Sequence, residues 1–255
     1  MIELKNMAAG YEGKIVVQDA NVFFEQGKVT VLVGPNGCGK STLLKTIVGI
    51  VSHTSGDILI QGISTRKMNP KQLAKTTAYL AQNKKAPDIS VMKMVLHGRF
   101  AHLSYPRKYG AKDIEIAKKA ICWAGLEAES ETLVSKLSGG MQQKVYIAMA
   151  LAQDTDAILL DEPTTYLDVA HQLRLMAMVK NLAEEGKAVV MVLHDLTQAM
   201  QIADKVVVMK GGKIIAQGTT EEVYGNKSLE EAFGVQIRRL QTEEGEIVWH
   251  YSHFS

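Results

Sequence analysis

The chain has 255 residues, of which 22% are charged and 6% are aromatic, and its formal net charge at pH 7 is +2. This length is enough for one or two domains with a buried core, and the composition is that of a globular protein. A net charge so close to neutral gives no argument for binding to nucleic acid or to an acidic membrane surface. Two cysteines, Cys38 and Cys122, are too few for a disulfide scaffold, which favours a reducing compartment.

No apolar run approaches the about 18 to 20 residues that cross a bilayer. The first residues also lack the apolar stretch of a secretory signal peptide. We therefore expect any link to a membrane to go through a partner.

The N-terminal segment predicts short antiparallel strands at residues 2–5, 15–18 and 21–25. Tyr11 lies in a turn between the first two of them. An exposed aromatic ring at that position could stack on an adenine, or could simply pack on its neighbours as a turn tyrosine.

Residues 29–48 predict a strand, a glycine-rich turn and a helix that begins near Gly39 and runs to about Ile50. This order is the context that a phosphate-binding loop requires. The glycines let successive N–H groups point inward, and the helix adds its positive end. We expect Lys40 to reach the outer phosphates of a nucleotide and the Ser41 hydroxyl to bind Mg²⁺. The loop alone predicts binding of a nucleoside triphosphate without separating kinase, GTPase, motor or transporter.

Downstream of this loop the pattern changes twice. Strands are predicted at 55–62 and 77–80, with a helix between them that opens at Asn69-Pro70. The chain then becomes helical until about residue 153, after which strands resume. The predicted helices of this middle part span 91–99, 113–124 and 139–152.

The C-terminal part predicts two continuously apolar strands, 157–160 and 188–193, of the kind that parallel sheets bury on both faces. The helix between them is capped by Asp168. Its expected apolar side consists of Val169, Leu173, Met176 and Ala183. Two hairpins follow, 206–209 with 213–216 across Gly211-Gly212, and 235–240 with 246–251 around Glu244-Gly245.

Two acidic residues, Asp161 and Glu162, directly follow the first of these apolar strands. Ligands of open α/β sheets bind at this edge. We expect Asp161 to hold Mg²⁺ and Glu162 to orient and polarise an attacking water, which is what hydrolysis requires. The alternative is a pair of solvated acids that opens a loop before Pro163.

Two further side chains are expected at the same edge. His194 ends the next buried strand and would reach a γ-phosphate or the water, although a structural role is equally open from its position alone. Gln82 follows the strand at 77–80, and its amide could ligate Mg²⁺ or water.

A second anion site is predicted where the helix at 139–152 begins. Ser138 is a natural N-cap, and Gly139 and Gly140 leave the N–H groups of the first turn uncovered. An ordinary capped helix start remains the alternative when this stretch is considered by itself.

Taken together, these motifs resemble the ATP-binding cassette (ABC) ATPases over residues 1 to about 220. The resemblance identifies Walker A as Gly34, Pro35, Asn36, Gly37, Cys38, Gly39, Lys40, Ser41 and Thr42. It identifies the Q-loop as Gln82 and the signature as Leu137, Ser138, Gly139, Gly140 and Met141. Walker B is the stretch 158–163, which contains Asp161 and Glu162; the D-loop is Leu167 and Asp168, and the switch histidine is His194.

The resemblance implies an α/β fold, with a P-loop NTPase core containing a mixed sheet, an antiparallel β subdomain and an inserted helical subdomain. It implies one cassette, in which residues 1–86 and 154–220 form the RecA-like core with the antiparallel sheet, 87–153 the helical signature subdomain and 221–255 a C-terminal extension. It further implies that Tyr11 stacks on adenine. Two copies would close head to tail, so that the Ser138 face of one covers the γ-phosphate on the other.

A finer resemblance is to the ATPases of iron-siderophore, haem and cobalamin importers. It rests on Cys38 and on the stretches 147–153, 164–168 and His171-Gln172. Residues 97–107 are similar to a segment that faces the membrane partner in that group. The chain departs from the pattern at Met141, where glutamine is usual. The N–H donors of the two signature glycines survive that change, so we expect activity to persist.

The resulting expectation is an ATPase subunit that uses ATP and Mg²⁺, lies peripherally at the cytoplasmic face of the cell membrane and drives separate transmembrane permease subunits. Its other partners would be a second ATPase subunit and, indirectly, a periplasmic or lipid-anchored substrate-binding protein, with no nucleic acid. The alternatives are a soluble ABC-type ATPase acting on nucleic acid, the ribosome or cluster assembly, and a small-molecule phosphoryl transferase.

Overall fold

The computed structural model describes residues 1–82, 86–242, 245 and 247–253. The strands are β1 Ile2–Tyr11, β2 Lys14–Phe24, β3 Val29–Val33, β4 His53–Ile60, β5 Ile63–Ser64, β6 Thr77–Leu80, β7 Ala157–Asp161, β8 Ala188–Val192, β9 Lys205–Lys210, β10 Lys213–Gly218, β11 Val235–Gln241 and β12 Ile247–His253. The α-helices are α1 Lys40–Ile47, α2 Pro70–Thr76, α3 Val91–His97, α4 Ala111–Trp123, α5 Gly139–Ala152, α6 Val169–Glu184, α7 Leu196–Ile202, α8 Thr220–Gly225 and α9 Ser228–Phe233. Single 3₁₀ turns lie at Thr65–Lys67, Phe100–His102 and Val134–Lys136.

The central sheet has the strand order β10-β9-β3-β8-β7-β6. Its strands run parallel except β10, which pairs antiparallel with β9. Every residue of β3, β7 and β8 is buried, which explains their continuously apolar sequences. The carboxyl ends of β3, β6, β7 and β8 therefore meet at one edge. The mixed sheet predicted for the core is confirmed.

A second, antiparallel sheet has the order β2-β1-β4-β5, as the expected antiparallel β subdomain requires. The two short strands predicted at 15–18 and 21–25 are wrong as separate elements, because β2 runs unbroken from Lys14 to Phe24. Asp19 adopts φ 48° inside it, and the pairing with β1 shifts register there. Such bulges insert a residue without ending the ladder, which is why a turn-like stretch remains within one strand.

The helix after the glycine-rich loop is shorter than predicted. It ends at Ile47 because Gly49 takes a left-handed φ of 72°, and the N–H groups of Ile50 and Val51 turn back to the carbonyl of Lys45. The strand expected at 55–62 is likewise displaced to His53–Ile60, since Gln61 and Gly62 form its turn.

Helices α3, α4 and α5 form the helical unit predicted for the middle of the chain. They share a buried cluster of their own, made of Val91, Val95, Ala117, Ala120, Ile121, Leu126, Val134, Val145, Ala148 and Ala152. The unit is joined to the sheet by α5, whose buried Gln143 donates its Nε2 hydrogen to the carbonyl of Pro163 at 2.9 Å.

The face that α6 buries differs from the prediction. Val169 and Leu173 are 72% and 66% exposed. The buried residues are Leu175, Met178, Val179, Leu182 and Ala183. Because each residue turns the helix by about 100°, this stripe lies roughly a quarter turn from the predicted one. Both stripes are apolar, so the helical period alone does not show which one is buried. Packing of α6 against the sheet determines it.

Two hairpins complete the chain. The turn at Gly211-Gly212 joins β9 to β10 as predicted. The strands of the last predicted hairpin are confirmed as β11 and β12, although Glu243, Glu244 and Glu246 of its turn lie outside the described residues. This hairpin packs on α7 through a hydrogen bond from the Thr197 hydroxyl to the carbonyl of Trp249 at 3.1 Å.

Candidate active site

The glycine-rich loop curls between the end of β3 and the start of α1. Gly34, Gly37 and Gly39 take φ values of 154°, 76° and 105°, which side chains other than glycine rarely adopt. A Cβ atom on Gly34 would lie 2.1 Å from the carbonyl oxygen of Met209 on β9. Glycine is therefore required at this position by close packing on the neighbouring strand as well as by the bend.

Lys40 is the first residue of α1 and is only 5% exposed. Its Nζ atom donates to the carbonyl oxygens of Gly34 at 2.6 Å and Pro35 at 3.0 Å, and lies 3.8 Å from the Cys38 sulfur. The carbonyl oxygens of the loop thus bind the ammonium group of Lys40. Carbonyl groups are weaker partners for an ammonium than an ionised phosphate, so the amine can exchange them for a ligand at low cost.

Asp161 is the last residue of β7 and is fully buried. Its Oδ1 accepts a 2.9 Å hydrogen bond from the Ser41 hydroxyl, and its Oδ2 accepts one of 2.9 Å from the Tyr79 hydroxyl. Burial raises the pKa of the Asp161 carboxyl, and these two hydrogen bonds oppose that shift by stabilising the charge. Burial and the neighbouring Asp161 in turn raise the pKa of the Tyr79 phenol well above its ordinary range.

Glu162 follows Asp161 in a left-handed conformation, with φ 51°. Its carboxylate lies between two side chains, because Oε1 is 2.6 Å from Nε2 of His194 and Oε2 accepts a hydrogen bond from Nε2 of Gln82. These residues come from the ends of β7, β8 and β6. Adjacent carboxylates thus separate as expected, with Asp161 directed to the phosphate loop and Glu162 to the open cleft.

The cleft at this sheet edge has a volume of about 450 Å³. It is lined by Val16, Asn36, Gly37, Gly39, Lys40, Ser41, Thr42, Gln82, Glu162 and His194. Of the remaining residues predicted to bind nucleotide, Gly34, Pro35 and Cys38 form the loop behind this surface. Tyr11 ends β1, is 46% exposed and lies outside the lining of the cleft.

The predicted signature residues Leu137, Ser138, Gly139, Gly140 and Met141 lie outside the lining of this cleft. Ser138 caps α5 and accepts a long hydrogen bond, 3.4 Å, from the N–H of Met141. A Cβ atom on Gly140 would approach the carbonyl oxygen of Tyr166 to 3.1 Å. The start of α5 therefore packs close to Tyr166, the residue before the predicted D-loop, and the predicted signature residues do not line the cleft of their own chain.

Asp168 caps α6 and also lies outside the cleft. Its carboxylate accepts from the N–H of His171 at 2.8 Å and lies 2.6 Å from Nδ1 of the same histidine. The hydrogen bond from the His171 backbone, followed by that from its ring, lowers the pKa of Asp168. Asp168 of the predicted D-loop is consequently held against the first turn of α6 by its two contacts with His171.

Two residues of the site are not predicted by the sequence pattern. Tyr79 is predicted only as part of a strand, and Val16, on β2, forms an apolar wall of the cleft. The signal for Tyr79 is positional: β6 and β7 are parallel, with Tyr79 opposite Leu159, so Tyr79 and Asp161 lie on the same face of the sheet.

The oxygen donors present fit Mg²⁺. Within the described ranges, no group of three or more His, Cys, Asp or Glu side chains could hold a metal ion. Mg²⁺, however, is usually bound by one or two protein oxygens together with substrate phosphates. The hydroxyl of Ser41 and the carboxylate of Asp161 are such a pair, at the mouth of the phosphate loop.

A glycine-rich loop between a buried central strand and a helix, facing a carboxylate pair at the end of a parallel strand, defines a P-loop nucleoside triphosphatase. The family model that matches the chain, over residues 17–165, is that of the ABC transporter.

Curated relatives cover nearly the whole chain. The petrobactin import ATP-binding protein FpuD of Bacillus anthracis is 39% identical, over 93% of this chain and 88% of its own length. The iron(3+)-hydroxamate import ATP-binding protein FhuC of Bacillus subtilis is 39% identical over 92% of this chain and 88% of its own. The ferric enterobactin transport ATP-binding protein FepC of Escherichia coli is 36% identical over 91% of this chain and 86% of its own.

Solved structures agree. A metal-chelate type ABC transporter in an inward-facing conformation matches with a TM-score of 0.84 and 27% identity, over 100% of this chain and 97% of that one. A dimeric ATP-binding cassette bound to ADP and Pi matches with a TM-score of 0.77 and 28% identity, over 86% of this chain and 99% of that one.

The chain therefore belongs to the ABC transporter family, and it is a subunit that binds and hydrolyses ATP. Import subunits of this kind work with transmembrane permease subunits, and ABC cassettes form dimers. These relatives support the expected transporter ATPase and not the soluble ATPase considered as its alternative. No helix in the described part of the chain is both long and apolar enough to cross a membrane.

Proposed function

We propose that this ATPase drives the import of an iron-siderophore complex or of a related chelate such as haem or cobalamin. The observation that carries the catalytic part is the position of Glu162, held between Gln82 and His194 at the rim of the cleft that contains Lys40. The cargo class is supported by the names of the relatives, which include petrobactin, hydroxamate and enterobactin importers.

In this proposal the phosphate loop binds the triphosphate through its N–H groups and through Lys40, whose amine leaves the carbonyls of Gly34 and Pro35. Ser41, Asp161 and Gln82 would hold Mg²⁺, which neutralises phosphate charge when it is bound. Tyr11 would stack on the adenine. Because Tyr11 lies outside the lining of the cleft, this role requires the β1–β2 turn at Glu12 and Gly13 to close over the base.

Glu162 accepts a hydrogen bond from the attacking water and takes its proton as the water oxygen bonds to the γ-phosphorus. The bond from that phosphorus to the β–γ bridging oxygen breaks in the same step, so that ADP leaves and phosphate remains. His194 holds one carboxylate oxygen of Glu162 and Gln82 holds the other, so the carboxylate cannot rotate out of line. Positioning of this kind is the main protein contribution to phosphoryl transfer.

The second half of the site comes from another copy of the chain. Ser138 and the N–H groups of Gly139 and Gly140 form a helix start that lies apart from the phosphate loop of the same chain. In a head-to-tail dimer these groups, with Leu137 and Met141 beside them, would cover the γ-phosphate of the partner. Asp168 would meet the partner across the same interface.

We further propose that the chain is one cassette, with core segments 1–86 and 154–220, a helical subdomain 87–153 and a C-terminal extension 221–255. The separate buried cluster of the helical unit supports this division. The subunit would lie at the cytoplasmic face of the membrane against its permease, and a periplasmic or lipid-anchored binding protein would deliver the cargo.

The test of the catalytic assignment is Glu162→Gln, which keeps the size of the side chain and one acceptor oxygen but removes the base. ATP turnover should fall by about 10²- to 10⁴-fold, while ATP binding persists and a closed dimer accumulates in size-exclusion chromatography with light scattering. Glu185→Gln, at the exposed end of α6, is the matched control and should turn over ATP normally. Turnover by Glu162→Gln close to wild type would overturn the assignment.

The cargo is tested with the permease complex purified from detergent extract and placed in proteoliposomes. ATP-dependent uptake of a ferric siderophore, haem or cobalamin, delivered with its binding protein, supports the proposal. Uptake of free Mn²⁺ in its place would contradict it, and this comparison matters because the manganese transport system ATP-binding protein MntB of Bacillus subtilis is 34% identical to this chain.

A further inference from the structure

Two glutamine side chains form a hydrogen bond between α6 and α7. Helix α6 follows Glu162 in the chain and α7 follows His194, and these two residues are in contact at the cleft. Nε2 of Gln198 on α7 donates to Oε1 of Gln172 on α6 at 2.8 Å. Nε2 of Gln172 donates in turn to the carbonyl of Leu167 at 3.0 Å and approaches that of Thr164 at 3.5 Å. Both side chains are half-buried in the groove between α6 and α7.

The direction of these bonds is determined by chemistry. Carbonyl oxygens only accept, so the end of Gln172 that faces Leu167 must be its NH₂ group. Its oxygen must then face α7, where the only compatible end of the Gln198 amide is again NH₂. The Oε1 atom of Gln198 is buried without a partner in the described part of the chain, so Gln172 provides the hydrogen bond that anchors this amide.

The hydrogen bond between Gln172 and Gln198, called the bridge below, completes a closed ring of contacts that connects Glu162 to His194 behind the cleft. The loop from Glu162 to Asp168 contains the carbonyls that Gln172 binds. On the other side, His194 is followed at once by Asp195, whose carboxylate accepts from the N–H groups of Thr197 and Gln198 in the first turn of α7. The ring therefore returns to its start at the 2.6 Å contact between His194 and Glu162.

We propose that Gln172 and Gln198 are positioning residues for hydrolysis, which clamp the switch-histidine segment to the loop between Glu162 and Asp168. This inference rests on the proposed role of Glu162. Neither glutamine lines the nucleotide cleft, so their effect passes through the geometry of the Glu162–His194 pair. The same bridge connects that pair to Leu167 in the predicted D-loop, which would face the second copy in the proposed dimer.

If this proposal holds, loss of the bridge lowers the rate of ATP hydrolysis but leaves the affinity for ATP unchanged. Lys40 and Ser41 lie on α1, outside the ring, so ATP binding does not depend on the bridge. A catalytic carboxylate displaced by a fraction of an ångström loses rate, since about 1 Å of misplacement can cost 10²-fold. Gln172→Met and Gln198→Met keep the size of the side chains and remove the hydrogen bonds.

We expect each of these two variants to lower kcat by about tenfold while KM for ATP stays within about twofold. If the glutamines act as one bridge, the double variant should also lose about tenfold and not the hundredfold of independent sites. Gln201→Met is the matched control, since Gln201 lines the same groove from an exposed position on α7 and should leave turnover unchanged.

Two further substitutions of Gln198 distinguish loss of the hydrogen bond from a general folding defect, because only one of them retains a donor. Gln198→Lys retains a donor for Oε1 of Gln172 and should keep at least half of the wild-type kcat. Gln198→Glu has no donor, although a carboxylate in the first turn of α7 is favourable for the helix, so it should fold normally and lose rate like the methionine variant. Circular dichroism and melting temperature are measured for every variant.

The bridge is overturned by a wild-type kcat in Gln172→Met, by losses that multiply in the double variant, or by a rise in KM with kcat unchanged. Equal kcat in Gln198→Lys and Gln198→Glu would also overturn it. Glu162→Gln is assayed in the same series. Normal turnover there refutes the proposed function itself, whereas an inactive Glu162→Gln beside a fully active Gln172→Met refutes only the bridge.

Discussion

Tyr79 donates its hydroxyl hydrogen to Oδ2 of Asp161 at 2.9 Å, although the two residues are 82 positions apart in the chain. The contact exists because β6 and β7 are parallel neighbours and both side chains leave the same face of the sheet. Ser41 binds the other oxygen of the same carboxylate. A fully buried charge is thus supported by one hydroxyl from the phosphate loop and one from the sheet.

Removing the tyrosine hydroxyl should weaken the fold around this carboxylate. Tyr79→Phe leaves a buried oxygen of Asp161 without a donor, which costs about 1–3 kcal/mol of unfolding free energy. Urea denaturation without nucleotide measures the loss. Tyr105→Phe is the control, since Tyr105 is 96% exposed. Equal unfolding free energies for Tyr79→Phe and wild type would show that the hydrogen bond contributes nothing.

Asp161 should make the nucleotide-free protein less stable as pH rises. Its pKa is raised by burial, so between the unfolded and folded pKa values the folded state binds more protons than the unfolded state. Stability therefore falls as pH rises through that window, and the full cost remains at neutral pH.

Asp161→Asn removes this cost. In EDTA and without nucleotide, its melting temperature should exceed that of wild type at neutral pH, where the wild-type carboxyl carries the full cost of its buried charge. The difference should shrink as the pH is lowered, because the wild-type carboxyl then takes up its proton. Asp19→Asn, at an exposed bulge, should show no such trend. A difference that grows on acidification would contradict the sign derived from burial.

Lys40→Ala should lose affinity for ATP. A hydrogen bond to a charged group contributes about 1.5–3 kcal/mol, so the Kd measured by isothermal titration calorimetry should rise about 10- to 100-fold. Lys180→Ala, on the exposed side of α6, is the control and should bind ATP like wild type. An unchanged Kd for Lys40→Ala would remove the phosphate loop from the binding site.

The head-to-tail dimer predicts a specific disulfide. In a Cys122→Ser background, which removes the exposed thiol, a mixture of Ser138→Cys and Asn36→Cys chains should form a covalent heterodimer on oxidation in the presence of ATP. Each single variant alone is the control. Glu162→Gln is included in both chains so that the closed state persists. Crosslinking that is equally efficient without ATP, or that never occurs, would exclude the proposed closure.

Local features of the fold follow from the amino-acid sequence alone. The phosphate loop, the start of α5 at Ser138 and the carboxylates after β7 lie where the sequence predicts them, because glycine turns, N-caps and short apolar strands depend on neighbouring residues. The family resemblance adds the antiparallel sheet and the inserted helices as a set.

Other features depend on contacts between segments far apart in the sequence. The pairing register of β6 and β7 brings Tyr79 to Asp161, and no local pattern encodes it. The sheet selects which of two apolar stripes α6 buries, which leaves Val169 and Leu173 exposed. The Gln172–Gln198 bridge arises only once two helices are packed side by side. Strands, turns and helix starts depend on neighbouring residues and can be predicted from the sequence. Which strand, helix face or side chain a segment packs against depends on the tertiary structure, because several partners are compatible with the same local pattern.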